Sequence, residues 1–245
     1  MTTAFGPTQT EAIYPKGVER HWWPAARNRI IERGVRAAAG AERGPILEIG
    51  CGTGVVVDHL ASRGWDITGC DLAPADPATA RVASRLRLGV DAFDLPATVR
   101  DTVRGVLLLD VLEHLPEPMR FLERIAASFE GLRWIHITLP ARQELWSNYD
   151  EFNGHFKRYA RADAGQLAPP GFRVATSGYF FHALWIPARV LKLLGRDRQT
   201  RFHPPRGAAA TTIHSALASL FSLEARLVPG AVWGSSLGVL LRADR

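Results

Sequence analysis

Three glycines at alternate positions, Gly50, Gly52 and Gly54, follow a short apolar run at 46–49 that contains Glu48. Because glycine lacks a Cβ atom, such a loop can adopt positive φ angles and lets backbone amides approach a ligand closely. A dinucleotide-binding loop prefers the spacing G-x-G-x-x-G, which places a pyrophosphate at a helix N-terminus. Here the third glycine comes one residue early, and the carboxylate of Glu48 would repel a pyrophosphate. The segment therefore predicts a site for a cationic ligand that lacks phosphate.

Two further acids each stand at the end of a predicted strand. Asp71 follows the strand predicted at 65–70, and its carboxylate can accept hydrogen bonds from both hydroxyls of a ribose. Asp91 follows the strand predicted at 87–90 and can accept a hydrogen bond from the exocyclic amine of adenine, with Ala92 or Phe93 beside the ring. Since the carboxyl ends of parallel strands meet at one edge of a sheet, these acids predict a nucleoside site next to the glycine loop.

The elements that must position these residues alternate along the first part of the chain. Residues 1–20 are expected to form a loose arm. The predicted strands are 46–49, 65–70, 87–90, 106–109 and 134–139, and the predicted helices are 21–39, 55–63, 75–86 and 117–129. This alternation predicts an α/β protein with a doubly wound parallel sheet, whose ligand edge lies at the strand C-termini.

The pattern changes after Pro140. A polar loop with a short helix at 161–167 is expected first, followed by a strand at 172–181. A helical insertion at 182–228 then separates this strand from the last one, at 232–241.

Four motifs together carry a resemblance to a known family: E-I-G-C-G-T-G at 48–54, D-L at 71–72, D-A-F-D-L-P at 91–96 and L-L-L-D-V-L-E-H-L-P-E-P at 107–118. They resemble the motifs of class I S-adenosylmethionine-dependent methyltransferases, and in particular the broad group that includes ubiquinone and menaquinone biosynthesis methyltransferases. The resemblance covers about residues 40–140. It implies a Rossmann-like sheet of seven strands in the order 3-2-1-4-5-7-6, with strand 7 antiparallel.

The resemblance also implies S-adenosylmethionine as the cofactor. Glu48, Gly50 and Gly52 would then hold its methionine end, Asp71 the ribose and Asp91 the adenine. The further cofactor-binding residues that it implies are Cys51, Gly54, Leu72, Ala92 and Asp110, the last of which would border the methyl-transfer site. We expect one domain over 1–245, with an arm and helix at 1–40, a cofactor-binding half at 41–140 and an acceptor-side half at 141–245.

The motif after the fourth strand leaves two interpretations open. Asp110, Glu113 and His114 resemble a metal-assisting set found in some quinone O-methyltransferases. Alternatively, Glu113 and His114 hold the loop and cap the following helix, and on this interpretation no metal is expected. His114 is kept as a candidate catalytic residue. The chain lacks the Asn/Asp-Pro-Pro-aromatic motif and the Pro-Cys nucleophile of enzymes that methylate nucleic-acid bases, so no nucleic-acid partner is expected.

A second group of reactive side chains lies at 146–159, after the fifth strand. Its pattern W-S-x-x-D-x-x-x-G-H-x-x-R-Y resembles a subgroup of these methyltransferases from bacterial glycolipid, polysaccharide or secondary-metabolite pathways. A hydroxyl acceptor benefits from a base whose pKa is near 7, and His155 is the natural candidate, with Asp150 to orient it. The alternative is that His155 and Asp150 only hold the loop closed.

The excess of basic residues and the helical insertion at 182–228 give information about the methyl acceptor. The chain has 30 Lys+Arg against 24 Asp+Glu, a net charge of +6, and much of the excess lies at 157–161 and 189–206. The insertion is expected to cover the core, to form a lid over a hydrophobic acceptor, or to contact a membrane surface through 184–206. The two cysteines and the N-terminal sequence suggest neither a disulfide framework nor a signal peptide, so a cytoplasmic location is expected.

These observations predict a methyltransferase that acts on a small, anionic or hydrophobic acceptor. Oxygen is the favoured target, in a secondary metabolite, a glycan or a lipid-like molecule. The alternatives are methylation of carbon or nitrogen, a non-methylating reaction such as cyclisation, a nucleotide-dependent oxidoreductase, or a binding protein without catalysis. The oligomeric state is left open.

Overall fold

Seven strands form one continuous sheet in a computed structural model that describes residues 6–41 and 43–244. The strands are β1 (Ile46–Ile49), β2 (Ile67–Asp71), β3 (Leu86–Leu88), β4 (Gly105–Leu109), β5 (Trp134–Pro140), β6 (Phe172–Phe180) and β7 (Ser236–Ala243). Their order is β3-β2-β1-β4-β5-β7-β6, and β7 pairs antiparallel with both β5 and β6. The predicted fold class and strand order are confirmed.

The sheet is covered on both faces, which explains its continuous apolar strands. Every residue of β1 and β4 is buried. Alternate side chains enter two different apolar clusters, since Leu47 and Leu108 belong to one cluster and Ile46 and Leu107 to the other. Side chains alternate between the faces of a strand, so the two clusters are the two layers of the core.

Eight α-helices surround the sheet in the described ranges. They are α1 (Pro7–Ile13), α2 (Trp22–Ala39), α3 (Val55–Ala61), α4 (Ala97–Arg100), α5 (Pro118–Ser128), α6 (Asn148–Asn153), α7 (Trp185–Leu193) and α8 (Gly207–Leu227). Helices α2, α3 and α5 confirm the predictions at 21–39, 55–63 and 117–129, and the short helix predicted at 161–167 is a 3₁₀ helix, Arg161–Leu167. In the part of the chain that the structure describes, no helix is long and apolar enough to cross a membrane.

The prediction of a helix at 75–86 is wrong. This segment contains only a 3₁₀ turn, Ala83–Arg85. Pro77 cannot donate a backbone hydrogen bond, and the amide of Ala78 instead donates to the carbonyl oxygen of Thr53 at 2.8 Å. The segment is therefore an irregular connection of turns that is hydrogen-bonded to the glycine loop.

The prediction of a loose arm at 1–20 is also wrong for its described part, while residues 1–5 lie outside the described residues. Helix α1 and a 3₁₀ turn, Val18–Arg20, lie against the ligand edge of the sheet. The side-chain amide of Gln9 donates to the carbonyl oxygen of Phe152 at 2.8 Å, and the amide of Phe202 donates to the carbonyl oxygen of Ala12 at 2.9 Å. The arm therefore bridges two distant segments of the acceptor-side half.

The insertion is helical as predicted, and its two helices have different environments. Helix α8 packs along α2, where Trp22 and Phe221 stack with their ring centroids 4.8 Å apart and Arg33 donates to the hydroxyl of Ser222 at 2.7 Å. Helix α7 lies over the ligand edge of the sheet. The last strand begins at Ser236, four residues later than the predicted range 232–241.

Candidate active site

The glycine loop joins β1 to α3 at the centre of the ligand edge. Gly50, Gly52 and Gly54 have φ angles of 78°, 53° and 80°, in the left-handed region that favours glycine. The carboxylate of Asp71 at the end of β2 supports the loop, because its Oδ2 accepts from the amide of Gly52 at 2.7 Å and its Oδ1 accepts from the amide of Ala73 at 2.8 Å. Each oxygen retains a lone pair for a further donor.

Glu48 lies below this loop with only 3% of its surface exposed. Its Oε2 atom is buried and has no hydrogen-bond partner. Burial raises the pKa of Glu48 to about 8, and Asp71 adds to the effect, whereas Arg27 opposes it. The group also has a backbone hydrogen bond with Val57, so its free Oε2 atom is the one suited to receive a cationic or hydrogen-bond-donating ligand.

Tyr14, which directly follows α1, covers the other side of the loop. A Cβ atom on Gly52 would lie 2.7 Å from both Cζ and Oη of Tyr14. Position 52 therefore requires glycine for two reasons, because a side chain would clash with Tyr14 and because the φ angle is positive. Burial raises the pKa of Tyr14, so its hydroxyl remains a neutral donor and acceptor.

Asp91 and its neighbours form the end of the site nearest β3. The Oδ1 atom of Asp91 accepts from the amide of Phe93 at 3.0 Å, which caps the 3₁₀ helix Ala92–Asp94. The Phe93 ring is covered by the guanidinium of Arg124, whose Cζ lies 3.6 Å from the ring centroid. This arrangement leaves Oδ2 of Asp91 for another donor beside a fixed aromatic surface.

Asp110, at the end of β4, adopts a φ of 58°, which is unusual for a residue other than glycine. Its carboxylate is held at both oxygens, since Arg27 Nη2 lies 2.8 Å from Oδ2 and the hydroxyl of Thr138 donates to Oδ1 at 3.1 Å. Asp110 is therefore an ion-paired wall of the site, and its partner Arg27 was not foreseen.

Glu113, His114 and His155 converge beyond Asp110. Each offers one possible metal-ligand atom, and these atoms all lie within 4.8 Å of one another. Glu113 is fully buried, and burial together with Asp110 raises its pKa well above the usual range. Burial also lowers the pKa of His114 to about 4, with a contribution from His155. The set suggested by resemblance, Asp110 with Glu113 and His114, thus differs from the cluster observed, in which His155 takes the place of Asp110.

His155 is held by Asp150, which lies behind it. The Nδ1 atom of His155 is 2.8 Å from Oδ1 of Asp150, and Nε of Arg158 donates to the same oxygen at 2.8 Å. Burial alone would raise the pKa of Asp150, but the hydrogen bonds from His155 and Arg158 bring it below the usual value. Asp150 also accepts from the amide of Ser147 at 2.9 Å, so it anchors α6 as well as His155.

One cavity of about 710 Å³ connects these groups. Most of the predicted site residues line it: Glu48, Gly50, Cys51, Gly52, Asp71, Leu72, Asp91, Ala92, Asp110, His114 and His155. Gly54 and Asp150 do not, because Gly54 begins α3 and Asp150 lies behind His155. The lining residues that were not foreseen include Tyr14 and Arg27. Arg27 carries a sequence signal, since it lies one turn from both Trp23 and Ile31 on the apolar side of α2, whereas nothing local marks Tyr14.

Comparison with known proteins decides what kind of site this is. A family model described as a methyltransferase domain matches residues 22–170. The chain belongs to this methyltransferase family. It is also similar to the ubiquinone biosynthesis O-methyltransferase of Vibrio campbellii, with 25% identity over 185 residues that cover 72% of this chain and 71% of that protein. The match favours methyl transfer over the oxidoreductase and binding-protein alternatives.

Solved structures support the fold of this methyltransferase. The chain is similar to the plantazolicin methyltransferase BpumL in complex with a monoazolic desmethylPZN analog and SAH, with a TM-score of 0.54, 13% identity, and coverage of 97% of this chain and 90% of that one. It is also similar to the complex of a Haloferax volcanii Trm112 methyltransferase activator and the putative methyltransferase, with a TM-score of 0.54, 15% identity, and coverage of 99% and 100%. At this identity the likeness concerns the fold.

The residues of the site fit S-adenosylmethionine, the cofactor of this enzyme class. The cradle at Gly52 excludes any side chain, and the buried Oε2 of Glu48 lacks a partner that a cationic methionine moiety would supply. Asp71 and Asp91 follow at the ends of β2 and β3, where the ribose and the adenine are expected. A cavity of about 710 Å³ also leaves room for an acceptor beside the cofactor.

Proposed function

We propose that this methyltransferase transfers the methyl group of S-adenosylmethionine to an oxygen atom of a small-molecule acceptor. When bound, the cofactor supplies an electrophilic sulfonium methyl group. The observation that carries the proposal is His155, which lines the same cavity as the glycine loop and is held from behind by Asp150. The relative named a ubiquinone biosynthesis O-methyltransferase supports oxygen as the target.

The role of His155 follows from its hydrogen bond. Asp150 is ionised and holds the proton of His155 on Nδ1, so Nε2 is the ring nitrogen that can accept a proton from a hydroxyl group. Arg158 balances the charge of Asp150 and is itself held by the carbonyl oxygen of Ala141 at 3.1 Å. The chain thus places an imidazole nitrogen that can accept a proton in the wall of the cavity.

The test is methyl transfer from cofactor labelled in its methyl group to a panel of phenols, alcohols and amines. O-methylated products are expected, and exclusively N-methylated products would overturn the proposal. His155→Ala should lower kcat by about a hundredfold or more, the usual effect of losing a general base. The same variant should keep the calorimetric affinity for S-adenosylmethionine. A variant with full activity would leave His155 only the task of holding the loop closed.

We further propose that α7 contacts an anionic membrane surface. Its outer side exposes large apolar side chains, with Ile186 at 63%, Leu193 at 68% and Leu194 at 64% of their surface. Arg189 and Lys192 lie on the same helix, Arg189 half-buried and Lys192 exposed. Apolar and basic groups together are typical of a helix that lies in the membrane interface. The opposite side of α7 lines the cavity, which would let a lipid-like acceptor enter from the surface.

Sedimentation with vesicles tests this contact. The protein should sediment with phosphatidylglycerol vesicles and much less with phosphatidylcholine vesicles, and added salt should weaken the binding, because each basic residue near the surface contributes about 1 kcal/mol. Leu193→Ser should reduce binding, whereas Leu227→Ser, an equally exposed leucine at the end of α8, should not. Equal binding of both variants would refute the role of α7.

A further inference from the structure

Arg198 belongs to the connection between α7 and α8, and its backbone is fixed to the acceptor side of the site. Its amide donates to Oδ1 of Asn148 at 2.8 Å, and Nδ2 of Asn148 donates to its carbonyl oxygen at 3.0 Å. Asn148 is the first residue of α6 and lies two positions before Asp150. Although Arg198 lies in a long connection, its position relative to His155 is therefore determined by paired hydrogen bonds.

The guanidinium of Arg198 lines the cavity without a counter-charge. Its Nη1 atom is buried and has no hydrogen-bond partner. Four other arginines line the cavity. Arg27 and Arg158 are ion-paired with Asp110 and Asp150, both at 2.8 Å. Arg124 lies over the Phe93 ring, and Arg201 is exposed to solvent. No carboxylate among the described residues lies within 4.0 Å of Arg198. A buried guanidinium N–H group without an acceptor is costly, so its presence in the wall of a cavity points to a ligand that supplies one.

Tyr149 links this cation to the proposed base. The Cζ atom of Arg198 lies 5.2 Å from the centroid of the Tyr149 ring, and the centroid of the His155 ring lies 6.3 Å from it. Burial raises the pKa of Tyr149 to about 12, so the phenol stays neutral and supplies no negative charge to Arg198. Both Arg198 and His155 thus lie beside one ring, and a compact acceptor can reach both.

We propose that the methyl acceptor carries an oxyanion group, a carboxylate or a phosphate, that binds the guanidinium of Arg198 while its hydroxyl group faces His155. The planar guanidinium matches both oxyanions, with which it forms two parallel charge-assisted hydrogen bonds. A cationic acceptor would be repelled, and a neutral one would leave Nη1 without a strong acceptor. The inference rests on the proposed function, because it assigns the acceptor to the same cavity.

Calorimetric titration with simple probes tests the anion site directly. Benzoate, phenyl phosphate and the neutral benzamide are titrated into the protein at low salt, with and without saturating S-adenosylhomocysteine. At least one anion should bind about tenfold or more tightly than benzamide, as expected for a charge-assisted pair. A preference for benzoate identifies a carboxylate, and a preference for phenyl phosphate identifies a phosphate.

Variants of Arg198 test whether this residue causes the preference for an anion. Arg198→Gln should abolish the preference for the anion. Arg198→Lys should retain part of it, because lysine keeps the positive charge but lacks the two parallel N–H donors of the guanidinium. Arg196→Gln, which removes an exposed cation two residues away, should change neither affinity. Equal affinity for anions and benzamide, including no measurable binding of any probe, overturns the inference, as does a preference that survives in Arg198→Gln. Failure to bind S-adenosylhomocysteine is a separate result, which counts against the proposed function.

Discussion

Replacement of Glu48 by glutamine should remove the pH dependence of cofactor binding. Burial raises the pKa of this carboxyl group to about 8 from 4.5, so the unliganded protein holds it protonated below pH 8. The positive charge of S-adenosylmethionine favours the ionised form. Binding below pH 8 therefore requires release of a proton from Glu48, and the affinity must depend on pH.

The magnitude follows from the pKa. Ionisation at pH 6 costs two pKa units, or about 2.7 kcal/mol, and at pH 7.5 about 0.7 kcal/mol. The difference corresponds to an increase in affinity of about thirtyfold between these two pH values. His21 and His114 line the same cavity, but burial lowers the pKa of each to about 4. Both imidazoles stay neutral over the range. His155 and His203 also line the cavity, and Glu48→Gln keeps all four histidines, so the comparison with the wild type isolates the effect of Glu48.

Isothermal titration calorimetry at several pH values between 6 and 7.5 measures this effect. Repeating each titration in two buffers of different ionisation enthalpy counts the protons released, with about one expected per cofactor at pH 6. Glu48→Gln should bind with nearly constant affinity and release no proton. Glu113→Gln is the matched control, because it replaces another buried carboxyl group of the cavity and should keep the thirtyfold change. A flat wild-type profile, or an unchanged slope in Glu48→Gln, would refute the reasoning.

The raised pKa of Glu48 also makes the free energy of unfolding depend on pH. The stabilisation from protonated Glu48 is complete below about pH 4.5 and is lost as the pH rises through about 8. The Tm of the unliganded protein should fall over that range more steeply in the wild type than in Glu48→Gln, and parallel curves would contradict this. Asp71→Ala should weaken cofactor binding by about tenfold to a hundredfold, since two amide hydrogen bonds and the ribose contact are lost; unchanged calorimetric affinity would exclude the assigned role. Gly52→Ala should abolish cofactor binding. Gly64→Ala is the control, because Gly64 also has a positive φ but no atom lies near its Cβ, so this variant should lose only stability. Equal cofactor binding by the two variants would show that the contact with Tyr14 is unimportant. Chelation with EDTA should leave turnover unchanged, because the proposed proton transfer to His155 uses Asp150 and needs no metal. Activity lost to EDTA and restored by a divalent cation would instead make Glu113, His114 and His155 a metal site.

The cofactor-binding half could be predicted from sequence because its signals are local. The glycines at 50–54 by themselves indicate a loop with positive φ angles, and the strand that precedes them is buried and mostly apolar. The errors occurred where local signals were weak or conflicting. At 75–86 alanines suggested a helix, but Pro77 and the hydrogen bond from Ala78 to Thr53 hold the chain in an irregular path of turns. At 7–13 the helix is held by contacts with residues far along the chain, such as Phe152 and Phe202, which local sequence does not reveal.

The acceptor side shows most clearly where sequence reasoning ends. The residue types were identifiable, since a histidine and an aspartate five residues apart suggest a base and its partner. Sequence could not determine that His155 meets Glu113 and His114, because they lie about forty residues earlier and approach only through the crossing of two loops at the sheet edge. Nor could it distinguish Arg198 from its exposed neighbours, since burial and the lack of a counter-charge are properties of the packed cavity.

The amino-acid sequence by itself determined the doubly wound fold, the glycine loop and the acids at the strand ends, because backbone freedom and strand periodicity are local properties. Tertiary structure decided the state of each charge. The same carboxyl group is a free acid on a surface, an ion pair beside Arg27, or a protonated group in an apolar wall, and only packing selects among these. Asp110 and Glu113, three residues apart in sequence, differ in this way because one meets Arg27 and Thr138 and the other meets no partner among the described residues.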